Sequence, residues 1–439
     1  MNIRSVLRKG GAVVTAVAAL AALSACSSSG GGGEKSLRVW WYENPGQPNV
    51  FGMQAALDQF KKDHPDVKVV FEQKTFDQMQ QSGKQILASS SAPDVLEYNK
   101  GNATLGVAAK ANLLTDLTQV AKDKGWTDKL GDATVSIGKV NLETGLSGID
   151  GNLYGVPIGG EFVRVFYNKA MLSKAGIEVP KTFDEFQSTM DKFVSQGITP
   201  ISLGAGDYPT VHLMWELTLV KATPAWVSDY QGLKKEIDFR SDPALAFGAK
   251  TAAEWLQKGY ISKKATGVNA SDMVNDFVNQ KMPFMISGTW QNQLVESGAK
   301  GKFEWGTFLL PGSGIHEGAP TNIFVVPTNS KNKDLAYDYI NTAVSEGPQT
   351  KIGNTGGVPV AGNSSVITNP IGQEATTQYL ELAKSNHLGQ FPDFPAAGYY
   401  DQLLAAGQDL LARQSTPEQY LQAIEKPYNA AVSAHAASK

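Results

Sequence analysis

The 439-residue chain has one cysteine, which excludes an intramolecular disulfide and a two-cysteine metal site. Histidine is scarce as well. His64, His212, His316, His387 and His435 lie more than five residues apart, so no HExxH zinc helix exists. No block of basic residues stands out. With 39 Lys+Arg against 42 Asp+Glu the net charge is −3, which argues against a general nucleic-acid binder. No serine has glycine at both −2 and +2, so the GxSxG elbow of a hydrolase is missing. There is no Walker A loop, and Gly312-Ser313-Gly314-Ile315-His316-Glu317 fails GxGxxG at its last position. What is present is ordinary globular composition, 42% hydrophobic and 18% charged. The length predicts two large domains.

The N-terminus reads as an address. Arg4, Arg8 and Lys9 form a positive region, and Ala12 to Leu23 an apolar one too short to span a bilayer. Leu23-Ser24-Ala25-Cys26 follows and resembles the lipobox of bacterial lipoproteins. That resemblance implies a signal peptide over 1–25, cleavage before Cys26 and acylation of that cysteine. The alternative is an ordinary secretory signal. Removing residues 1–25 takes away three positive charges and moves the net charge from −3 to −6. Residues 26–36 read as a lipid-anchored tether; Ser27 to Ser36 is Ser/Gly-rich and reaches ~18 Å as a random coil. No later segment approaches 18 uninterrupted apolar residues, so a soluble body tethered outside the cytoplasm is expected.

In the body, short strand patterns alternate with helical ones. Leu37 to Tyr42, Val67 to Phe71 and Val95 to Tyr98 read as strands. Between them, Met53, Ala56, Leu57 and Phe60 have helical spacing. Thr75 with Gln78, and Thr182 with Glu185, are capping boxes. Leu153 to Ile158, Glu161 to Tyr167, Met282 to Ile286 and Thr321 to Pro327 are further strand patterns. Residues 182–196, 242–257, 271–279 and 334–343 read as helices, and Pro417 as the first residue of another. The alternation predicts an open, mainly parallel α/β sheet. The Ala-rich tail after Asn429 is expected to fray.

Four stretches in register resemble the substrate-binding lipoproteins of carbohydrate ABC importers, the family that includes maltose-binding protein. They are Ser91 to Val95; Asp150 to Pro157 with Phe166 to Lys169 and Pro180 to Phe186; Met285 to Trp290; and Lys333 to Ile340 with Gly356 to Pro359. The resemblance implies an α/β fold of two lobes, with a hinge and a central ligand cleft. Mapped here, the N-terminal lobe is 37–160 plus 321–347 and the C-terminal lobe 161–320 plus 348–439. The crossings fall near Gly159-Gly160-Glu161, Gly318 to Asn322 and Ser345 to Gly347. It also implies a sugar ligand, no cofactor, no metal, and delivery to membrane permease subunits with a cytoplasmic ATPase. The protein would be a monomer, lipid-anchored on the extracytoplasmic face of the cell membrane, with no nucleic-acid partner.

A sugar cleft needs carboxylates and amides of fixed geometry, plus flat rings for the C–H faces. Such groups sit on loops after strand C-termini in α/β sheets. The first strand ends in Trp41, Tyr42, Glu43 and Asn44, and the third in Tyr98, Asn99 and Lys100, with Asn102 beyond. Solvated loop polarity, or a core role for Trp41 and Tyr42, stays open for these. The resemblance implies a sugar-binding carboxylate at Glu161, a ring at Tyr208 and a stacking indole at Trp290. It also implies an aromatic stacker within Phe391 to Tyr400, where Asp393, Tyr399 and Tyr400 are candidates. Gly356, in a Gly-Gly turn, permits close backbone approach. A salt bridge for Glu161 and lobe packing for Trp290 stay open. So do two other functions. One is a binder of a non-sugar solute. The other is a secreted glycan-active enzyme, for which Glu43 and Glu161 would be the carboxylate pair.

Overall fold

The computed structural model describes residues 35–148, 150–321 and 323–437. The signal segment 1–25, Cys26 and the tether up to residue 34 lie outside the described residues. Eleven strands are described: β1 Ser36–Trp41, β2 Lys68–Gln73, β3 Val95–Tyr98, β4 Lys139–Val140, β5 Asn152–Leu153, β6 Gly159–Asn168, β7 Ile201–Ser202, β8 Phe284–Gly288, β9 Trp305–Phe308, β10 Gly318–Thr321 and β11 Ile323–Val325.

They build two main sheets, one per lobe of an α/β two-lobe fold. The first has the order β11-β3-β1-β2, with β1 parallel to β2 and β3, and β11 antiparallel to β3. The second has the order β10-β6-β8-β7, with β9 also on β6. There only β7 and β8 run parallel, and β6 pairs antiparallel with β8, β9 and β10. Mainly parallel pairing therefore describes the first sheet and not the second. Four α-helices, Pro209–Leu219, Pro224–Gln231, Pro243–Lys258 and Ala270–Val278, separate β7 from β8, so the strand–helix alternation behind that expectation is not kept.

Local chemistry sets the helix starts. Helix Pro48–Asp63 has proline in its first turn and buries Met53, Ala56, Leu57 and Phe60. Helices Phe76–Ala88 and Phe183–Ser195 both open with complete capping boxes, at Thr75/Gln78 and Thr182/Glu185. The expected strand Leu153 to Ile158 shrinks to β5 and a single bridge from Val156 to Phe324. The tail does not fray after Asn429. Helix Pro417–Ala437 carries through it because Tyr428, Val432 and His435 are buried.

Each sheet has its own core. Leu37, Val39 and Trp41 of β1 pack with Phe60, Phe324 and Tyr339. Val163, Val165 and Ile286 pack with Phe186 and Trp255 around the second sheet. The chain passes between the sheets where Gly159 pairs with Thr321 and Gly160 with Pro320, and Val358 bridges to Gly160. Close approach explains the two glycines. A Cβ on Gly159 would stand 2.7 Å from Asn49, and one on Gly160 2.8 Å from Tyr379 and 2.9 Å from Val358. Helix Glu346–Asn354 lies along helix Pro48–Asp63, and Val360 and Ala361 join the first core.

Candidate functional site

A cavity of about 310 Å³ lies where the C-terminal ends of β1, β2 and β3 face the second sheet. From the first sheet come Tyr42, Glu43 and Asn44 after β1, Thr75 to Asp77 after β2, and Asn99 and Lys100 after β3. From the other side come Glu161 on β6, Asp207, Tyr208 and His212 around the start of helix Pro209–Leu219, and Ser287, Trp290 and Gln291 at the end of β8. Thr321 of β10 and Phe391, Asp393, Phe394 and Tyr400 complete the wall. Strand ends converging on one crevice is the usual ligand position in α/β sheets.

Backbone contacts hold the first-sheet loops. The N–H groups of Tyr42 and Glu43 donate to Glu97 Oε2 at 2.7 and 3.2 Å. Gln47 Oε1 accepts from the Asn44 N–H at 2.8 Å, and Gln73 donates to the Glu43 carbonyl. Lys100 Nζ reaches Glu161 Oε1 at 2.7 Å and Thr321 Oγ1 at 2.9 Å. It also lies 4.7 Å from the Phe391 ring centre and 5.4 Å from that of Phe394.

Aromatic rings form the other half of the site. Tyr208 and Tyr400 stack at 5.1 Å and 9°, and Phe76 meets both edge-on at 6.1 and 5.8 Å. The Tyr208 hydroxyl donates to Asp393 Oδ1 at 2.7 Å. Burial raises both groups, so the phenol keeps its proton and the Asp393 carboxyl sits above its ordinary range. The Trp290 indole lies back over Gly288, where a Cβ would overlap the ring. Its ring centre is 5.0 Å from that of His212 and 6.4 Å from that of Phe391. Ser287 Oγ, Gln291 Oε1 and Asp207 Oδ1 are buried with no hydrogen-bond partner among the described residues. Buried polar oxygens without partners are costly, so this wall is preset for a ligand's donors.

Among the expected site residues, Glu43, Asn44, Asn99, Lys100, Glu161, Tyr208, Trp290 and Asp393 all line this cavity. Four do not. Trp41 is 1% exposed and packs on Phe71 at 4.0 Å; strand alternation turns it to the helix layer and Tyr42 to the cavity. Asn102 is engaged within the loops, its Oδ1 accepting from the Ser147 N–H at 2.7 Å. The Gly356 carbonyl accepts from Asn292 Nδ2 at 2.7 Å, and the residue stays outside the cavity. Tyr399 is fully buried near Tyr428, and its neighbour Tyr400 takes the cavity position.

Sequence reasoning missed Phe76 and His212. Both had signals: Phe76 follows a strand end at a capping box, and His212 is one helical turn beyond Tyr208. Among the described residues no group of His, Cys, Asp and Glu could hold a metal ion. No described helix is long and apolar enough to cross a membrane.

A family profile described as "Bacterial extracellular solute-binding protein" matches residues 50–350. The chain is 23% identical over 284 residues to the multiple sugar-binding protein of Streptococcus mutans serotype c, covering 62% of this chain and 63% of that protein. It is 28% identical over 155 residues to the maltotriose-binding protein of Pyrococcus abyssi, covering 35% and 30%. The chain thus spans less than two thirds of the length of these curated relatives. Its fold is similar to a chitin oligosaccharide binding protein, with a TM-score of 0.78, 21% identity and coverage of 91% and 100%. It is also similar to a solute-binding protein in complex with raffinose, at 0.73, 17%, 90% and 99%.

Proposed function

The chain belongs to the bacterial extracellular solute-binding proteins, and from that premise we propose that its cavity captures a sugar, an oligosaccharide, outside the cell. The observation that carries the reading is the composition of the wall. Carboxylates, amides and flat rings from both sheets converge on one cavity of about 310 Å³. Sugar hydroxyls both donate and accept, and sugar C–H faces suit aromatic rings. The relatives named for multiple sugars and for maltotriose, and the raffinose complex, point the same way.

In this reading Glu43, Asn44, Asn99, Glu161 and Asp393 bond the hydroxyls, and Trp290 and Tyr208 stack on the rings. Trp41, Asn102, Gly356 and Tyr399 have no direct role. The two lobes close on the sugar about the Gly159-Gly160 crossing; helix Glu346–Asn354 and Val360-Ala361, expected in the C-terminal lobe from residue 348 on, pack on the first lobe and move with it. Such hinge closure is an established mode. Cys26 is acylated and holds the protein at the extracytoplasmic face of the membrane. From there the liganded monomer delivers its sugar to permease subunits served by a cytoplasmic ATPase. Solute-binding proteins of this family capture their ligands without chemical turnover. Incubation with maltotriose or raffinose tests this: the sugar is returned intact. Cleaved products would reinstate the glycan-active enzyme, and binding of only a non-carbohydrate solute would replace the sugar.

A further inference from the structure

The crossing between the two sheets runs along one edge of each. β10 and β11 follow one another in the chain and are the edge strands of the orders β10-β6-β8-β7 and β11-β3-β1-β2. The opposite edges are β7 and β2. At about 4.8 Å per strand step, β2 stands roughly 14 Å from β11. Rotation of one lobe about the crossing therefore displaces these far edges most.

At the far edges the lobes meet through aromatic rings. Phe76 follows the end of β2, and Tyr208 follows β7. Phe76 lies 6.1 Å from Tyr208 at 70° and 5.8 Å from Tyr400 at 66°. Each side of this contact is fixed on its own lobe. Phe76 is the first residue of a helix with a complete capping box, and it meets Tyr42 edge-on at 5.5 Å. Tyr208 stacks on Tyr400, and its hydroxyl is tied to Asp393. Tyr400 sits in the first turn of helix Tyr399–Leu411, which packs on helix Pro209–Leu219. Tyr208 also packs against the apolar clusters of both lobes.

We propose that Phe76 is a positioning residue that latches the two lobes. Its ring seats edge-on against the Tyr208–Tyr400 stack, holds the cavity shut at the end away from the crossing, and slows release of the sugar. Edge-to-face ring pairs are favourable over centre separations up to about 7 Å. A shift of about 1 Å at the far edge takes both contacts to that limit, so the latch is sensitive to small lobe rotations. The contact carries no charge and depends on ring geometry alone. Phe76 thus acts through the position of the opposite lobe.

The proposal rests on the sugar-binding reading for what is released, but the latch is measured first on the free chain. Small-angle scattering compares wild type with Phe76→Ala and Phe76→Tyr. The expected result is a larger radius of gyration for Phe76→Ala and the wild-type value for Phe76→Tyr, which keeps the ring. Equal radii for wild type and Phe76→Ala overturn the proposal. Release of the best binder among maltotriose, raffinose and a chitin oligosaccharide, followed by stopped flow, gives the second readout. Phe76→Ala raises koff about tenfold, or about 1.4 kcal/mol, and leaves kon within about twofold. Phe76→Tyr restores slow release; a Tyr variant that releases as fast as the Ala variant contradicts the ring contact. Faster release from a Phe76→Ala protein that is as compact as wild type at saturating sugar would assign Phe76 to sugar stacking and overturn the latch. Failure of all three sugars to bind would sink the proposed function and leave scattering on the free chain to decide the latch.

Discussion

Lys100 Nζ lies 2.7 Å from Glu161 Oε1, tying the end of β3 in the first sheet to the start of β6 in the second. The side chains are 5% and 10% exposed, so this is a buried ion pair between the sheets, next to the crossing at Gly160.

Removing one partner of such a pair leaves an uncompensated buried charge. Lys100→Met should lower folding stability by about 3 kcal/mol. Lys100→Met with Glu161→Gln should recover part of the loss, because no lone charge remains. Urea unfolding of both variants checks this. Equal stability of the single and double variants would show that the pair is not coupled.

Trp290 is held over Gly288 and beside His212. Its indole is partly buried, and it contributes packing to cores on both sides of the cavity. Trp290→Ala should weaken sugar binding by ~2–4 kcal/mol through lost stacking and area. If the indole only packs the lobes together, the ligand-free melting temperature drops and affinity stays near normal. Calorimetry of ligand-free melting and of sugar binding separates the two.

Glu317 and His212 give a pH dependence of opposite signs. Glu317 is raised on folding, so its contribution is present in full below about 4.5 and lost as the pH rises through the folded value. His212 is lowered from 6.5 to about 4, so its contribution is present above 6.5 and lost as the pH falls through that window. In Glu317→Gln the histidine effect remains without the opposing Glu317 one, while the raised Asp207 and Asp393 act in both proteins. The histidine contributes a loss of about 2 kcal/mol between pH 7 and 5, so the variant should lose more stability over that range than the wild type. Denaturant unfolding at pH 5, 6 and 7 measures it. A steeper acid loss in the wild type than in the variant would contradict the raised Glu317 carboxyl.

Membrane attachment is tested by Cys26→Ser, which should move the protein from the membrane to the soluble fraction. Two or more acyl chains are expected, since one gives only marginal anchoring. Retention of the variant on the membrane would contradict acylation at that cysteine.

Local chemistry made much of this architecture readable. The Thr75/Gln78 and Thr182/Glu185 capping boxes and the Met53 to Phe60 spacing each lie where the structure has them, because short-range hydrogen bonds and helical periodicity need no tertiary context. Antiparallel pairing of β6 with β8, β9 and β10 was not readable, because it joins segments far apart in the chain. At the site, the sequence offers Trp41 beside Tyr42 and Tyr399 beside Tyr400, and only Tyr42 and Tyr400 line the cavity. A one-residue difference in a strand or at a helix start reverses which ring faces the cavity, and composition cannot fix that phase. The Glu216–Glu317–His212–His316 cluster brings together residues about a hundred positions apart, a proximity that only the fold creates.

The central claim is that the cavity binds a carbohydrate, and thermal unfolding with a panel of mono- and oligosaccharides tests it most directly. A specific sugar at 100 times its dissociation constant should add ~2.7 kcal/mol of stability. The account predicts saturable stabilisation by at least one sugar, largely lost in Trp290→Ala. Stabilisation by a non-carbohydrate solute, with no response to any sugar, would contradict it.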